Sequence, residues 1–357
     1  NPYDKKMNSI YKLTSNGYEL DLSFFDYYLF DRQPHFYNKK LISLFGKPRE
    51  KDQKILSKHH QIAGALQRAF TNIVFHLLKI TKKKGGKSNN IVIAGGAAMN
   101  CVFNGLLESK NIYKNNFVPP WPDDLGVSIG ATYLENHNQG KKSKNDCKVY
   151  LGPGYSNADI LSLLKKYNLS FLKPDNIGKY IAERISKGHL IGWFQDRMEF
   201  THRALGNRSI LADPRKLEMQ LKVNTAVKYR ETFRPFAPAV LEESASKIFK
   251  IDKKTKVPFM EKAVLVRNSW RKKIPAVVHV DGTARVQTVN KKFNPSFYNL
   301  INEFYKITNI PVLLNTSFNL NGEPVVMSPS DAIRTFHTCG LDTLVLQDYV
   351  ILKKINK

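Results

Sequence analysis

The sequence predicts an α/β protein in two units, and three observations carry that reading. The run "NIVIAGG" (90–96) has the apolar, β-branched text of a buried strand and breaks at paired glycines into "AAMNCVFNGLLES", which has helical spacing. A second set of strand-like runs, "HLIGWF", "PAVVHV", "RVQTV" and "PVLLNTSFN", alternates with segments carrying helix-start signals. Alternation of this kind is α/β text. Between the two sets, "HNQGKKSKNDC" (137–147) is polar, charged and without period, and is the expected linker, with the units joined near residues 137–150.

Residues 1–57 are mixed, with aromatic pairs (Phe24–Phe25, Tyr27–Tyr28) and turn signals around Pro34 and "FGKPRE". From His60 to Ile80, the residues Ile62, Leu66, Ala69, Phe70, Ile73, Leu77 and Ile80 recur at helical spacing and predict a long amphipathic helix. "NFVPPWPDDLGVSIGATYLEN" then reads as a strand, a Pro-rich turn and a helix. In the second half Ser156 and Asp159 form a capping box for a helix through about Lys166. "PAVVHV" and "RVQTV" are expected strands on either side of a turn at Asp281–Gly282. "NPSFYNLINEFYKITN" opens with a capping Asn and Pro at the first helical position, and "SPSDAIRTFHTCG" opens on Ser328 and Pro329 and stops before Gly340.

A chain of 357 residues is long enough for two ordinary cores. No apolar run reaches the roughly 18–20 residues that cross a bilayer, and no basic-then-apolar leader is visible. The chain opens on Asn1, so its numbering is expected to start inside a longer or processed product. Cys101, Cys147 and Cys339 are few, odd in number and far apart, which supports neither a disulfide framework nor a zinc site and suits a reducing cytoplasm. The formal charge of +26 could be a nucleic-acid footprint, but much of the excess is lysine in connectors such as "TKKKGGK", "KKSK" and "WRKK". Solvated lysines are the simpler account, so no nucleic-acid or membrane partner is expected.

The arginines fall elsewhere, inside patterned text. "DRMEFTHRALGNRSILADPR" (196–215) places Arg197, Arg203, Arg208 and Arg215 among Asp196, Glu199 and Asp213, and "VKYRETFRPFAPAV" adds Lys228, Arg230 and Arg234. Crowded cations repel unless anions separate them. Glu199, Asp213 and Glu231 could do so as a structural network, while a bound polyanion explains the surplus better. "DGTARVQTV" adds Arg285, and "LLNTSFNLNGEP" presents Asn315, Ser317 and Asn319 at alternate positions, one face of a strand that could line a wall or simply end it. The glycines Gly95 and Gly96 would let a phosphate or flat ring approach the backbone, though a tight turn without ligand uses the same pair. Asn100 and Asn104 share a helix face beside them. Asp123 and Asp124 at a helix start either favour the macrodipole or supply a metal-ligand oxygen. His59–His60 lacks a partner four residues on and is not a metal clamp.

Taken together, "HHQIAGALQ", "AGGAAMNCVFNG", "GWFQDRMEF", "RALGNRSILADPR", "VKYRETFRPFAPAV", "DGTARVQTV" and "LLNTSFNLNGEPVV" resemble, in order and from about Gly17 onward, the O-carbamoyltransferases of antibiotic and nodulation-factor biosynthesis. The resemblance implies the C-terminal part of an actin-like ATPase (Kae-like) domain over residues 1–140, its N-terminal lobe absent, followed by a YrdC-like α/β domain over 148–357. It implies two-stage chemistry: the YrdC-like domain forms carbamoyladenylate from ATP and carbamoyl phosphate, and the Kae-like domain, with a metal such as Fe²⁺, passes the carbamoyl group to a hydroxyl of a sugar or other small molecule. Arg, Lys and Mg²⁺ would neutralise charge in the first stage.

By residue, the family's basic positions fall on Arg203, Arg208, Lys228, Arg230, Arg234 and Arg285, and its polar strand on Asn315, Ser317 and Asn319. Gly95, Gly96 and Asn100 match its nucleotide-contacting turn, and Asp124 its metal-binding aspartate. Two departures stand out. Asp123 replaces the glycine of the family's Gly-Asp-x-Gly element, and Thr201–His202 replaces its Gly-Pro. The family's H-x-x-x-H metal pair has no counterpart in this sequence, so the metal site is expected to be incomplete. Competing readings are a tRNA threonylcarbamoylation-type transferase, which the +26 charge would suit, and a nucleotide-binding remnant.

Overall fold

The computed structural model describes residues 1–26, 36–85, 87–141 and 147–353. Tyr27, Tyr28, the Pro34 turn and residues 142–146 of the expected linker lie outside them. The elements in chain order are α1 (Asp4–Asn8), β1 (Tyr11–Thr14), β2 (Gly17–Leu20), α2 (Lys39–Phe45), α3 (Ser57–Lys84), β3 (Asn90–Val92), α4 (Cys101–Lys110), β4 (Asn115–Phe117) and α5 (Leu125–Asn138). Next come α6 (Asn157–Lys166), α7 (Ile177–Ser186), β5 (Ile191–Phe194), β6 (Arg208–Ala212), α8 (Glu218–Val223), β7 (Ala237–Leu241), α9 (Ala245–Ile248), β8 (Ala263–Leu265) and α10 (Asn268–Arg271). The last are β9 (Thr283–Arg285), β10 (Gln287–Val289), α11 (Pro295–Thr308), β11 (Val312–Ser317), α12 (Pro329–Thr338), β12 (Thr343–Leu346) and β13 (Tyr349–Leu352). They gather into two compact units, one of Asn1–Ile91 with Leu107–Asn116 and one of Val92–Leu106 with Phe117–Lys357.

In the first unit the expected long helix forms as α3, and of its expected apolar stripe Ala69 is buried and the rest half-buried except Leu66. Ala65, Ala69, Phe75 and Leu78 are buried, whereas Leu66 is 58% exposed. Met7, Ile10 and Phe24 pack on the Ala65–Ala69 face, where short side chains admit close approach, and Asp4 pairs with Arg68 at 2.7 Å. Size complementarity overrides hydrophobicity in placing Ala65 rather than Leu66 inside.

The second unit holds a seven-stranded sheet in the order β10-β7-β11-β6-β5-β12-β13. Only β10–β7 and β5–β12 run parallel; the other four pairings are antiparallel, so the sheet is mixed. Strands β5, β6, β7 and β12 are buried along their whole length, as expected where helices cover both faces. The three local helix-start signals hold. Ser156 and Asp159 close a capping box on α6, Ser328 and Asp331 close one on α12, and Asn294 caps α11 ahead of Pro295.

Two expected strands differ. "PAVVHV" is not a strand: Pro275–Val277 forms a 3₁₀ turn, because Pro275 has no N–H to give a ladder. The turn beyond it is as expected, with Gly282 at φ +78° and His279 N bonded to Thr283 O. "NIVIAGG" yields only the three-residue β3, and Val92 is 65% exposed rather than buried, because its only strand partner among the described residues is the equally short β4. Among the described residues no helix is long and apolar enough to cross a membrane.

Candidate anion-binding site

The crowding in "DRMEFTHRALGNRSILADPR" resolves into separate local duties. Arg197 donates from Nε to Gly152 O (2.9 Å) and from a terminal nitrogen to Leu151 O (2.6 Å). Arg215 pairs with Asp213, with contacts of 2.6–2.9 Å, and donates to Ser186 O. Glu199 makes no ion pair with an arginine among the described residues, though its charge favours protonated Arg208; its Oε1 accepts from the backbone N–H of Leu205, Asn207 and Arg208 at 2.7, 2.8 and 3.3 Å and so shapes the turn. Arg208 is fully buried. Its terminal nitrogens donate to the carbonyls of Gln195, Asn207, Pro153 and Asp196, and its guanidinium lies 3.5 Å from the Phe194 ring centroid. The idea of this stretch as a wall of polyanion-holding arginines is therefore corrected. Asp213 pairs with Arg215 and carbonyl oxygens take the terminal nitrogens of Arg208, whose Nε is buried without a partner among the described residues.

Arg203 is the exception. Its side chain has no hydrogen-bonding or carboxylate partner among the described residues, and burial depresses its pKa, with Cys101 opposing. Arg285, from the end of β9, stands beside it. Its Nε is buried without a partner, and burial, with the fields of Arg203 and Arg230, lowers its pKa to about 10. The backbone around Arg203 is fixed by two neutral amides. Asn315 donates to Ala204 O (3.1 Å) and to Gln287 Oε1 (2.9 Å), and Gln287 donates to Leu205 O (2.7 Å). Asn315 thus acts as a support behind Arg203; its amide nitrogen is spent on protein.

The remaining basic and small polar residues converge on the same place. Helix α8 runs on into a wide π-type turn, Asn224–Lys228, that ends at Tyr229 in the left-handed conformation (φ 44°). Lys228, buried, reaches the end of β11 and donates to Ser317 O (2.6 Å), Ser317 Oγ (3.2 Å), Asn319 O (2.9 Å) and Asn319 Oδ1 (2.7 Å). These acceptors are dipoles, not carboxylates. Burial, and then the field of Arg230, pulls its pKa to about 7. Arg230 is held by Asn224 Oδ1 (2.7 Å) and by the Phe236 ring, 4.8 Å from its guanidinium carbon, and burial lowers its pKa to about 10. Arg234 is exposed, 4.0 Å from Glu231 at its nearest. Arg203, Arg285, Lys228, Arg230 and Arg234 therefore share one neighbourhood, in which Glu231 stands beside Arg234 and opposes the charge of Arg230. Uncompensated, desolvated cations are costly to bury, and a bound anion removes that cost.

The turn of Gly95 and Gly96 lies in the same unit. Gly95 has φ +96° and donates its N–H to Pro122 O (2.5 Å), and a Cβ on Gly96 would meet open space. Asn100 caps α4 through Oδ1 to Phe103 N (3.0 Å), and the next residue, Cys101, sits in the fields of Arg203 and Arg285. Asn104 is buried and donates to Ala98 O and Glu261 O. Asp124 is exposed at the start of α5, with no side-chain cap bond. Asp123, by contrast, meets His202: Oδ2 lies 2.6 Å from Nε2. Among the described residues no three His, Cys, Asp or Glu side chains, Asp124 included, converge as a metal site. Sequence reasoning missed Asn224, Gln287 and Cys101. Only the thiol carried any chemical signal, and nothing in the sequence placed it against arginines.

The family models described as carbamoyltransferase N-terminus and carbamoyltransferase C-terminus match residues 1–133 and 182–353. The nodulation protein NolO of Bradyrhizobium diazoefficiens is 42% identical over 312 residues, covering 86% of this chain and 57% of its own length. The nodulation protein NolNO of Sinorhizobium fredii is also 42% identical over 312 residues, 86% of this chain and 46% of its own. The chain thus spans about half the length of the curated relatives it matches. Among solved structures, full-length HypF in its phosphate- and nucleotide-bound form aligns over 53% of this chain and 23% of its own at 16% identity, with a TM-score of 0.36, too loose to equate positions. Matched at both ends, and by these relatives across most of its length, the chain belongs to the carbamoyltransferase family.

Proposed function

We propose that this chain forms carbamoyladenylate from ATP and carbamoyl phosphate as the first stage of O-carbamoyl transfer to a hydroxyl of a small molecule or sugar. In this reading residues 148–357 form a YrdC-like carbamoyladenylate-forming domain, and residues 1–140 contribute to a Kae-like transfer domain. The observation that carries it is the neighbourhood of Arg203, Arg285, Arg230 and Lys228, desolvated cations drawn together with so little opposing charge.

Each residue has a chemical duty. The step turns carbamoyl phosphate, water and ATP into carbamoyladenylate, phosphate and pyrophosphate, and the guanidinium groups of Arg203, Arg230 and Arg285 bind phosphate oxygens and neutralise charge on the departing phosphate and pyrophosphate. Lys228 holds the end of β11 through Ser317 and Asn319 and adds a cation that an arriving phosphate keeps protonated. Ser317 Oγ donates to Asn319 Oδ1 (2.6 Å) and Asn319 Nδ2 to Glu323 O (2.7 Å), so in the unliganded chain the two hold the seat of Lys228, and an arriving carbamoyl group would have to compete for them. Gly95 and Gly96 leave backbone open to a ligand. Mg²⁺ accompanying ATP would add further neutralisation. The residues around Asp124 do not complete a metal site, so no transfer step is drawn through one.

Carbamoyl-phosphate-dependent exchange of pyrophosphate into ATP tests the reading. The chain should catalyse it, and Arg230→Ala should abolish it while leaving the fold intact. Near-normal exchange in the variant would assign the cations to a structural role instead.

A further inference from the structure

We infer that Asn224 is the residue that positions Arg230 toward the anion, an inference that rests on the anion-site reading above. Asn224 is fully buried and begins the wide turn that ends at Lys228. Nearly all of its polar groups face one segment. Its Nδ2 donates to Thr232 O and Arg234 O, both at 3.2 Å, and its Oδ1 accepts from Arg230 Nε at 2.7 Å. Its backbone carbonyl accepts from the N–H of both Tyr229 and Arg230.

The segment that receives these bonds is a loop. Residues 231–235 are exposed and form no helix or strand. Gln220 donates to the same two carbonyls, Thr232 O at 3.4 Å and Arg234 O at 3.2 Å, but does not touch Arg230. The only contact that orients the Arg230 guanidinium by hydrogen bonding, among the described residues, is therefore the one to Asn224. Because the group is planar, fixing Nε on one side and the Phe236 ring beside it sets the direction of the two terminal nitrogens. Those nitrogens have no acceptor among the described residues, which leaves the fork free for a bidentate phosphate contact.

Gln220 and Asn224 separate two explanations, loop fastening and guanidinium orientation. Calorimetric titration of the 357-residue chain with ATP is the measurement. Asn224→Ala should weaken ATP binding by about tenfold or more, the loss expected when a charge-assisted contact is disoriented. Gln220→Ala should change it by less than about twofold, and Asn224→Ala placed on Arg230→Ala should add less than about twofold. Equal losses from Gln220→Ala and Asn224→Ala, or a full further loss in the double variant, would overturn the inference. Exchange of the Arg230 Nε proton, followed by NMR, reads the contact without any ligand. Protection present in the parent chain and lost in Asn224→Ala upholds the positioning contact; equal exchange removes it. A parent chain that binds no ATP would sink the anion reading, and the proton exchange would still decide the contact.

Discussion

His202 Nε2 lies 2.6 Å from Asp123 Oδ2 and ties the turn before Arg203 to the turn before α5. The second carboxylate oxygen, Asp123 Oδ1, is buried and has no partner among the described residues. The two halves of the pair should therefore respond unequally to removal. His202→Ala leaves a mostly buried carboxylate with neither oxygen bonded and should cost about 1–3 kcal/mol, whereas Asp123→Ala frees an exposed imidazole and should cost less. Urea unfolding of both variants checks the order, and a larger loss for Asp123→Ala would contradict it.

Arg208 and Arg285 should show opposite signs. Arg208→Met strips four carbonyl contacts, two of them buried, and should lower stability by about 3 kcal/mol or more. Arg285→Gln removes a cation that faces Arg203 and Arg230, so it should raise the melting temperature while weakening ATP binding. Thermal unfolding and calorimetry on the two proteins test this. A stabilised Arg208→Met or a destabilised Arg285→Gln would reverse the assignment of structural and ligand-facing arginines.

Lys228 gives the unliganded chain a defined pH signature. Its folded pKa of about 7 lies below its ordinary 10.5, so the unfolded state binds the extra proton between those values. The penalty for burying its charge is full below pH 7, and stability rises as pH climbs from 7 toward 10.5. Relative to Lys228→Met, the parent chain should therefore gain stability across that window, as read by urea unfolding at several pH values. An anion near Lys228 raises its pKa again, so ATP binding at pH 7–8 should take up protons, measurable by calorimetry in buffers of different ionisation enthalpy.

Gly206 is required where it stands. Its φ is +105°, and a Cβ there would lie 2.2 Å from the Phe297 ring. Gly206→Ala should cost about 3 kcal/mol or more through backbone strain and overpacking together. A urea midpoint close to that of the parent chain would show that the ring can yield.

What could be seen in the sequence was what is local. The caps of α6, α11 and α12 were legible because each lies within three or four residues of the group it satisfies. The burial of Ala65 in place of Leu66 on α3 was not, because Ala65 gains its place from the segments packed on it. "PAVVHV" has strand composition, yet its proline and its contact with Pro214 make a turn. Arg203 and Arg208 are indistinguishable as letters. The carbonyls that absorb Arg208 come from residues 153, 195, 196 and 207, which only the folded chain brings together. Asn224 and Gln287 are neutral amides in ordinary text and left no pattern to read.

The wide turn at Asn224–Lys228 spans five residues between Asn224 O and Tyr229 N, where an α-helical turn would span four. It amounts to a one-residue insertion in a helix, and its effect is rotational. Loss of a single codon there, Ala226 for instance, would let α8 wind on regularly and swing the downstream residues by about 100° around the axis. Lys228 would leave Ser317 and Asn319, and Arg230 would leave Asn224. Such a deletion would keep every chemical group the site needs and still erase the site, because the loss would be one of phase rather than chemistry.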